Sequence, residues 1–95
     1  MIKECFVVLT PSVEEYIQQG VLDVTDIEHM VKTAATFAKE SYFIAFHSNK
    51  TTTSVTDGNG NVLDEISLNI PENIWFIFDE SDDSIICTGL LPHEY

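Results

Sequence analysis

The sequence predicts a single α+β domain in which two N-terminal helices pack on one face of a mainly antiparallel β-sheet. After one opening strand, the first half of the chain repeats apolar residues three and four positions apart, the spacing of an amphipathic helix. The second half contains short apolar or β-branched runs separated by turn residues. The expected order over residues 1–95 is therefore β-α-α-β-β-β-β-β, with most strands following the helices.

The first strand and the first helix are predicted from the N-terminal residues. The strand covers residues 2–9, and residues 5–9 within it are continuously apolar, which is typical of a strand buried on both faces. The helix follows over residues 11–19, with Thr10 as its N-cap. Gly20 is expected to end this helix, because glycine readily adopts the left-handed conformation that follows a helix.

The second helix is predicted over residues 26–40. Thr25 and Glu28 have the spacing of a capping box, in which two side chains satisfy the free N–H groups of the first turn. Lys32 and Lys39 fall in the later turns, where the helix dipole favours positive charge. The apolar face is formed by Ile27, Met30, Val31, Ala34, Phe37 and Ala38.

Five strands are predicted in the second half of the chain. They cover residues 42–47, 51–56, 62–70, 74–78 and 84–91. Residues 57–61, in which Asp-Gly and Asn-Gly pairs occur in succession, predict a tight hairpin turn. Residues 79–83 are expected to be an acidic loop, and residues 92–95 to be a tail after the last strand.

Cysteine usage and hydropathy predict a cytoplasmic protein. Cys5 and Cys87 each lie in an apolar, strand-like run, so we expect two buried free thiols rather than a disulfide. The N-terminal residues do not have the pattern of a secretion signal, and no stretch is as long and apolar as a membrane span.

The charge of the chain indicates the kind of partner it binds. Sixteen Asp and Glu residues stand against four Lys and no Arg, and the formal net charge is -12. Arg is the side chain that best matches the geometry of phosphates, so a chain without it is a poor candidate for binding nucleic acid or an anionic membrane. A strongly basic protein is the partner that this charge favours.

The density of these carboxylates limits how they could imitate DNA. A domain of this size exposes about 5,500 Å², so an even spread gives roughly one carboxylate per 340 Å². Duplex DNA carries roughly one phosphate charge per 100 Å² of its cylinder surface. Mimicry therefore requires the acids to crowd onto one face, or two subunits to join their acidic faces.

The motifs of catalysis and metal binding are missing from the sequence. A calcium-binding loop starting at Asp57 would need Gly and Glu at its sixth and twelfth positions, which hold Val62 and Leu68. The three histidines are far apart, and apolar neighbours of both cysteines disfavour a reactive thiolate. Carboxylates could hold magnesium in a nuclease, but a nuclease also needs positive charge to hold its substrate. We therefore expect a non-enzymatic protein with no cofactor.

In size, Arg-free acidity and lack of catalytic motifs, the chain resembles the small acidic inhibitors of bacteriophages, which include antirestriction and other DNA-mimic proteins. The resemblance covers the whole chain and is not carried by a single motif. It implies a compact α+β or helical domain, often a dimer, that occupies the DNA-binding groove of a host enzyme. Bacterial immunity proteins and antitoxins share this acidic smallness, because their targets are basic nucleases.

The prediction is a non-enzymatic inhibitor that binds the basic, DNA-binding surface of another protein, either as a monomer or as a homodimer. The first alternative is an immunity protein or antitoxin with one tight partner and aromatic anchors such as Tyr16 or Trp75. The second is a small enzyme or structural subunit whose acidity is incidental. The residues expected to bind the partner are Glu14, Glu15, Asp23, Asp26, Glu28, Asp64, Glu65, Asp79, Glu80, Asp82 and Asp83.

Overall fold

The computed structural model describes residues 4–95 and confirms the α+β class and the predicted order of elements. Residues 2 and 3 of the predicted first strand lie outside the described residues. The strands are β1 (Glu4–Leu9), β2 (Phe43–Asn49), β3 (Thr52–Thr56), β4 (Val62–Ile66), β5 (Ile74–Glu80) and β6 (Ser84–Leu90). The helices are α1 (Pro11–Gln18) and α2 (Val24–Phe37), and a short 3-10 helix covers Pro92–Glu94.

The six strands form one sheet in the order β1-β6-β5-β2-β3-β4. All neighbours are antiparallel except β1 and β6, which run parallel with Val7 opposite Cys87. The last strand of the chain is therefore inserted between β1 and β5, and the two helices connect β1 to β2 across this insertion. This arrangement leaves β1 and β4 as the two edge strands of the sheet.

The hydrophobic core lies between the helices and one face of the sheet. Phe46 and Phe76 are fully buried at its centre and pack edge to face, with ring centroids 5.5 Å apart. Gly89 is required beside them, because a Cβ atom there would lie 2.8 Å from the Phe76 ring and 2.9 Å from Leu9. The core cluster also includes the helix-side residues Val13, Leu22, Ile27, Met30 and Ala34 and the sheet residues Ile44, Val55, Ile74 and Cys87.

The second helix begins two residues earlier than predicted. Its N-cap is Asp23 and not Thr25, and Asp26 Oδ2 accepts a hydrogen bond from the Asp23 backbone N–H at 3.1 Å. Asp23 and Asp26 are three residues apart, as are Thr25 and Glu28 of the predicted capping box. The sequence therefore contains two equivalent capping pairs, and the helix uses the one that begins two residues earlier. The helix ends at Phe37, where the Phe37 carbonyl accepts from the Glu40 and Ser41 N–H groups, so Lys39 lies beyond the helix.

Three strand ends differ from the prediction by two residues or more. β2 continues to Asn49, two residues beyond its predicted end, so Ser48 and Asn49 belong to the strand. β4 ends at Ile66, and the predicted remainder up to residue 70 leaves the sheet, although Ile70 still turns its side chain into the core. β5 continues to Glu80, so Asp79 and Glu80 belong to the strand and not to the acidic loop. At all three ends the pairing with neighbouring strands decides where the strand stops, and the local sequence does not reveal that pairing.

The prediction that the first strand is buried on both faces is wrong. Glu4 to Val8 are all exposed, and half of the Phe6 side-chain surface (50%) is accessible. The helices cover one face of the sheet, and Phe6 and Val8 point to the other face. β1 is also an edge strand with β6 as its single neighbour, so its outer side has no strand beside it. Cys5 is consequently an exposed free thiol, whereas Cys87 on β6 is buried and free as predicted.

Glu94 fastens the end of the chain to the start of α1. Its Oε1 atom accepts a hydrogen bond from the Thr10 hydroxyl at 2.6 Å and another from the Leu91 N–H at 2.9 Å. Thr10 precedes α1 as predicted, but its hydroxyl serves this contact and does not cap the helix. These hydrogen bonds favour the charged carboxylate and so lower the pKa of Glu94 below its usual value of 4.5. The hydrogen bond from Thr10 has the largest effect.

We expect Glu94→Gln to lower the melting temperature at pH 7 and to lower it less at pH 3. Because the folded state depresses the pKa of Glu94, its stabilising contribution is complete above the usual value of 4.5 and is lost as the pH falls through the depressed value. Thermal unfolding followed by circular dichroism at both pH values measures the difference. Glu65→Gln, which removes an exposed charge, is the control. An equal difference at the two pH values would rule out the charged form of Glu94 as the cause.

Candidate protein-binding surface

Five carboxylates meet at one end of the sheet. In the register of the sheet, Glu4 at the start of β1 lies opposite Ser84 at the start of β6, and Glu80 at the end of β5 lies opposite Ile85. Glu4 and Glu80 are thus two strands apart, which corresponds to about 10 Å. The residues of this acidic end, all exposed, are Glu4, Asp79, Glu80, Asp82 and Asp83.

The loop that carries Asp82 and Asp83 is closed by two serines. The Ser81 N–H donates to the Ser84 carbonyl at 2.8 Å, and the Ser81 hydroxyl lies 3.2 Å from the same carbonyl and 3.0 Å from the Ser84 hydroxyl. These bonds hold the two ends of a three-residue connection together, so the carboxylates between them start from a defined backbone. A defined backbone reduces the entropy that a partner must remove on binding.

The turn over residues 57–61 uses its carboxylate internally. Asp57 Oδ1 accepts from the backbone N–H groups of Asn59 at 2.8 Å and Asn61 at 3.3 Å, and its Oδ2 accepts from the Asn61 side-chain amide at 2.8 Å. The Asn61 amide is the main cause of the lowered pKa of Asp57. Asp57 therefore closes the hairpin, as predicted for this turn, and its oxygens are occupied.

A second group of predicted residues lies on the helices. Glu14, Glu15, Asp23 and Glu28 are exposed, while Asp26 is partly buried against the backbone of the α2 N-terminus. The first half of α2 lies beside Val7 and Leu9, toward the end of β1 that is remote from Glu4. The structure therefore does not bring this group to the acidic end.

The remaining two predicted residues, Asp64 and Glu65, are exposed on β4. β4 is the edge strand opposite β1 and lies four strands from β6 in the sheet order. With neighbouring strands about 4.8 Å apart, this separation is about 19 Å. The structure thus divides the eleven predicted residues among three surfaces and unites Asp79, Glu80, Asp82 and Asp83. Sequence reasoning missed Glu4, which reaches this group through the pairing of the first strand with the last.

The two aromatic side chains proposed as anchors are engaged within the fold. The Tyr16 hydroxyl donates to the Glu72 carboxylate, and this bond, together with burial, raises the pKa of Tyr16 above its usual value of 10.0. Trp75 is partly buried on the face of the sheet away from the helices, with ring centroids 4.8 Å from Phe43 and 5.7 Å from Tyr95. Neither ring is a fully exposed anchor.

A different set of apolar side chains is exposed beside the acidic end. Ile86 lies opposite both Phe6 on β1 and Asp79 on β5, so the three side chains form a row on the face away from the helices. Val8 continues this surface along β1 and is 49% exposed. We call Phe6, Val8 and Ile86 the apolar patch. It borders Glu4 and Asp79, which places apolar and acidic surface side by side.

The described residues form no metal site, and one of the two thiols is buried. Within residues 4–95, no group of three or more His, Cys, Asp or Glu side chains is arranged to hold a metal ion. Burial raises the pKa of the Cys87 thiol to about 12, so this thiol stays protonated near neutral pH. A cavity of about 310 Å³ beside α1 is lined in part by Glu15, Tyr16, Glu72 and His93. Within it, the Tyr16 hydroxyl already donates a hydrogen bond to the Glu72 carboxylate.

Comparison with known proteins assigns no relative. No model of a protein family, no curated protein and no solved structure matches the chain. Among the described residues, neither helix has the length and apolar character needed to cross a membrane. The arguments for function therefore rest on the acidic end, the apolar patch and the charge of the chain.

Proposed function

We propose that the protein is a non-enzymatic inhibitor that binds the basic, DNA-binding surface of another protein. The observation that carries this proposal is the acidic end, where five exposed carboxylates meet on two strands, β1 and β5, and on the closed loop between β5 and β6. The partner is a protein with clustered Lys and Arg side chains, and the inhibitor itself contacts neither nucleic acid nor membrane. Its place of action is the cytoplasm, that of the host if a phage encodes it.

Local charge density supports DNA mimicry at the acidic end. Averaged over 5950 Å² of accessible surface, sixteen carboxylates correspond to about 370 Å² each. Asp79 and Glu80 are consecutive strand residues, so their side chains point to opposite faces of the sheet, and Glu4 shares the face of Asp79. With Asp82 and Asp83 between them on the loop, the carboxylates of the acidic end are closer together than this average, as mimicry of the closely spaced phosphates of DNA requires.

The mechanism is occupation of the DNA site. Carboxylates take the positions that phosphates would hold opposite Lys and Arg, and the overall negative field of the chain speeds the encounter. Binding of this kind weakens as salt is added, because screening acts on every exposed charge pair. It also prevents the partner from binding DNA, so the inhibitor and DNA compete for one surface.

A pull-down tests this function directly. The tagged protein is incubated with a bacterial lysate at low salt, and bound proteins are eluted first with duplex DNA and then with high salt. We expect DNA-binding proteins in the first eluate. If DNA releases nothing that the beads hold, DNA mimicry is wrong.

The apolar patch favours a second candidate, an immunity protein or antitoxin that neutralises one basic toxin. Tight interfaces combine a buried apolar centre with a charged rim, and Phe6 and Ile86 beside Glu4 and Asp79 have this arrangement. In this case one protein stays bound through both elutions. Phe6→Ala then weakens its binding strongly, whereas it changes binding to a DNA-displaceable partner little.

A further inference from the structure

The outer edge of β1 has unpaired backbone groups at alternate residues. The Thr10 N–H donates to the Gly89 carbonyl of β6 at 3.0 Å, which places the backbone groups of the even-numbered residues toward β6. The N–H and C=O groups of Cys5, Val7 and Leu9 therefore point outward, away from the sheet. An edge of this kind is a template for pairing with a further strand.

The other edge of the sheet is protected, whereas β1 is not. β4 is five residues long, presents Asp64 and Glu65 to solvent, and is bulged where Val55 and Thr56 pair with it. Charges, short length and bulges are the usual means of preventing edge-to-edge pairing. From Cys5 to Leu9, β1 contains no charged or bulged residue.

Apolar side chains are exposed on both faces of this open edge. On the face away from the helices lies the apolar patch. On the helical face, Val7 is 45% exposed and lines a groove of about 420 Å³ between β1 and α2. Val24 and Val31 of α2 form the other wall of the groove, and Val24 is 60% exposed. Water therefore reaches apolar surface above, below and beside β1.

We propose that β1 pairs antiparallel with β1 of a second copy of this chain, centred on Val7. Side chains that face each other across an antiparallel pair lie on the same face of the sheet, so the two-fold axis must pass through a residue position. Centring on Val7 places Cys5 opposite Leu9 and Phe6 opposite Val8 of the second copy. The outward groups of Cys5, Val7 and Leu9 then form about six hydrogen bonds across the axis.

This register also keeps charge out of the paired segment. Glu4 is the only charged residue of β1, and it lies beyond the last apolar pair. The two copies of α2 run antiparallel near the axis, since they follow the antiparallel β1 strands. The groove beside each β1 is lined by both Glu28 and Lys32, so each copy brings opposite charges to the interface. Opposite charges on each copy reduce the repulsion that a net charge of -12 imposes on self-association.

The exposed area at the β1 edge is sufficient for a stable dimer. The accessible parts of Phe6, Val7, Val8, Val24 and Ile86 amount to about 400 Å² of apolar surface per subunit. Stable interfaces bury about 600–1,000 Å² per partner, and somewhat more than half of that area is apolar. Backbone and polar atoms of β1 and α2 supply the remainder.

The test is the molar mass in solution, measured by light scattering after size exclusion and by sedimentation equilibrium from about 1 to 100 µM. We expect twice the chain mass of 10.7 kDa for the wild type. Val7→Pro removes an outward N–H that β6 does not use, and edge strands tolerate proline. Phe6→Lys places a charge beside the axis, opposite Val8 of the second copy. Both variants should have the mass of one chain, with unchanged circular dichroism.

Val62→Lys is the matched control, because Val62 is 66% exposed on the protected edge β4. This variant should remain dimeric. A wild-type mass of 10.7 kDa at all concentrations would overturn the proposal and favour the strand of a different protein as the occupant. A dimer that survives both β1 substitutions would overturn the proposed surface.

The proposed dimer and the proposed inhibitor function can be refuted independently of each other. Added salt screens the repulsion between two acidic chains, so we expect the dimer to tighten as salt is raised. Binding to a basic partner changes in the opposite direction. A monomer that still binds a DNA-displaceable partner refutes the dimer alone, whereas a dimer without such a partner refutes the inhibitor function alone.

Discussion

Changing Asp79, Asp82 and Asp83 to lysine should weaken binding to the DNA-displaceable partner by at least about a hundredfold. Each reversal replaces an attractive contact by a repulsive one, and three on one surface reinforce each other because they face the same basic site. Glu80 is left intact because it makes a further contact within the fold. The dissociation constant is measured by interferometry on the captured partner at low salt.

A second triple variant, Glu14→Lys with Asp64→Lys and Glu65→Lys, separates position from total charge. It has the same net charge as the first variant, but its substitutions lie on the helical layer and on β4. Loss of the general field should weaken binding by less than about tenfold. Equal losses in the two variants would mean that the net charge of the chain, and not the acidic end, determines affinity.

Truncating Phe76 to alanine should cost about 3–5 kcal/mol in the free energy of unfolding. The side chain is fully buried and packs against Phe46. It also packs so closely on the backbone of Gly89 that no Cβ atom fits between them. Its removal leaves a cavity that rigid neighbouring strands can only partly fill. Domains of this size have total stabilities of about 5–15 kcal/mol, so the melting temperature should fall by about 15 °C or more.

Urea unfolding followed by circular dichroism measures this cost. Phe6→Ala is the control, because it removes the same atoms from a side chain that is half exposed, and it should change the stability by less than about 1 kcal/mol at concentrations where the chain is monomeric. A loss below about 1 kcal/mol for Phe76→Ala would mean that the centre of the core has been placed wrongly.

The helices and most strands could be predicted because their signals are local. The apolar stripe of α2 and the Asp-Gly and Asn-Gly pairs of the hairpin turn depend on neighbouring residues alone. The start of α2 was misplaced because the sequence contains two possible capping boxes of equal spacing, one beginning at Asp23 and one at Thr25. Leu22, directly before the observed cap, is buried in the core, and such a long-range contact is not encoded in the local pattern.

The parts that could not be predicted depend on long-range pairing. The parallel contact between β1 and β6 joins the two ends of the chain, and it makes β1 an edge strand and adds Glu4 to the acidic end. A continuously apolar sequence predicts a strand, but it does not indicate whether the surfaces that cover the strand belong to the same chain or to another molecule. The same limitation affected the candidate residues, which the sequence grouped by proximity along the chain and the fold distributed over three surfaces.

The two cysteines differ in exposure, so the reactivity of Cys5 can be used to measure how accessible the β1 edge is. Cys5 is exposed on the open edge of the single chain, whereas Cys87 is buried and its pKa is about 12, so a maleimide or disulfide reagent should modify Cys5 quickly when that edge is uncovered and Cys87 only after unfolding. The rate of the fast reaction then follows how accessible the β1 edge is, without any introduced label. Whatever covers that strand in the cell will slow the modification of Cys5 in proportion to the time it stays there.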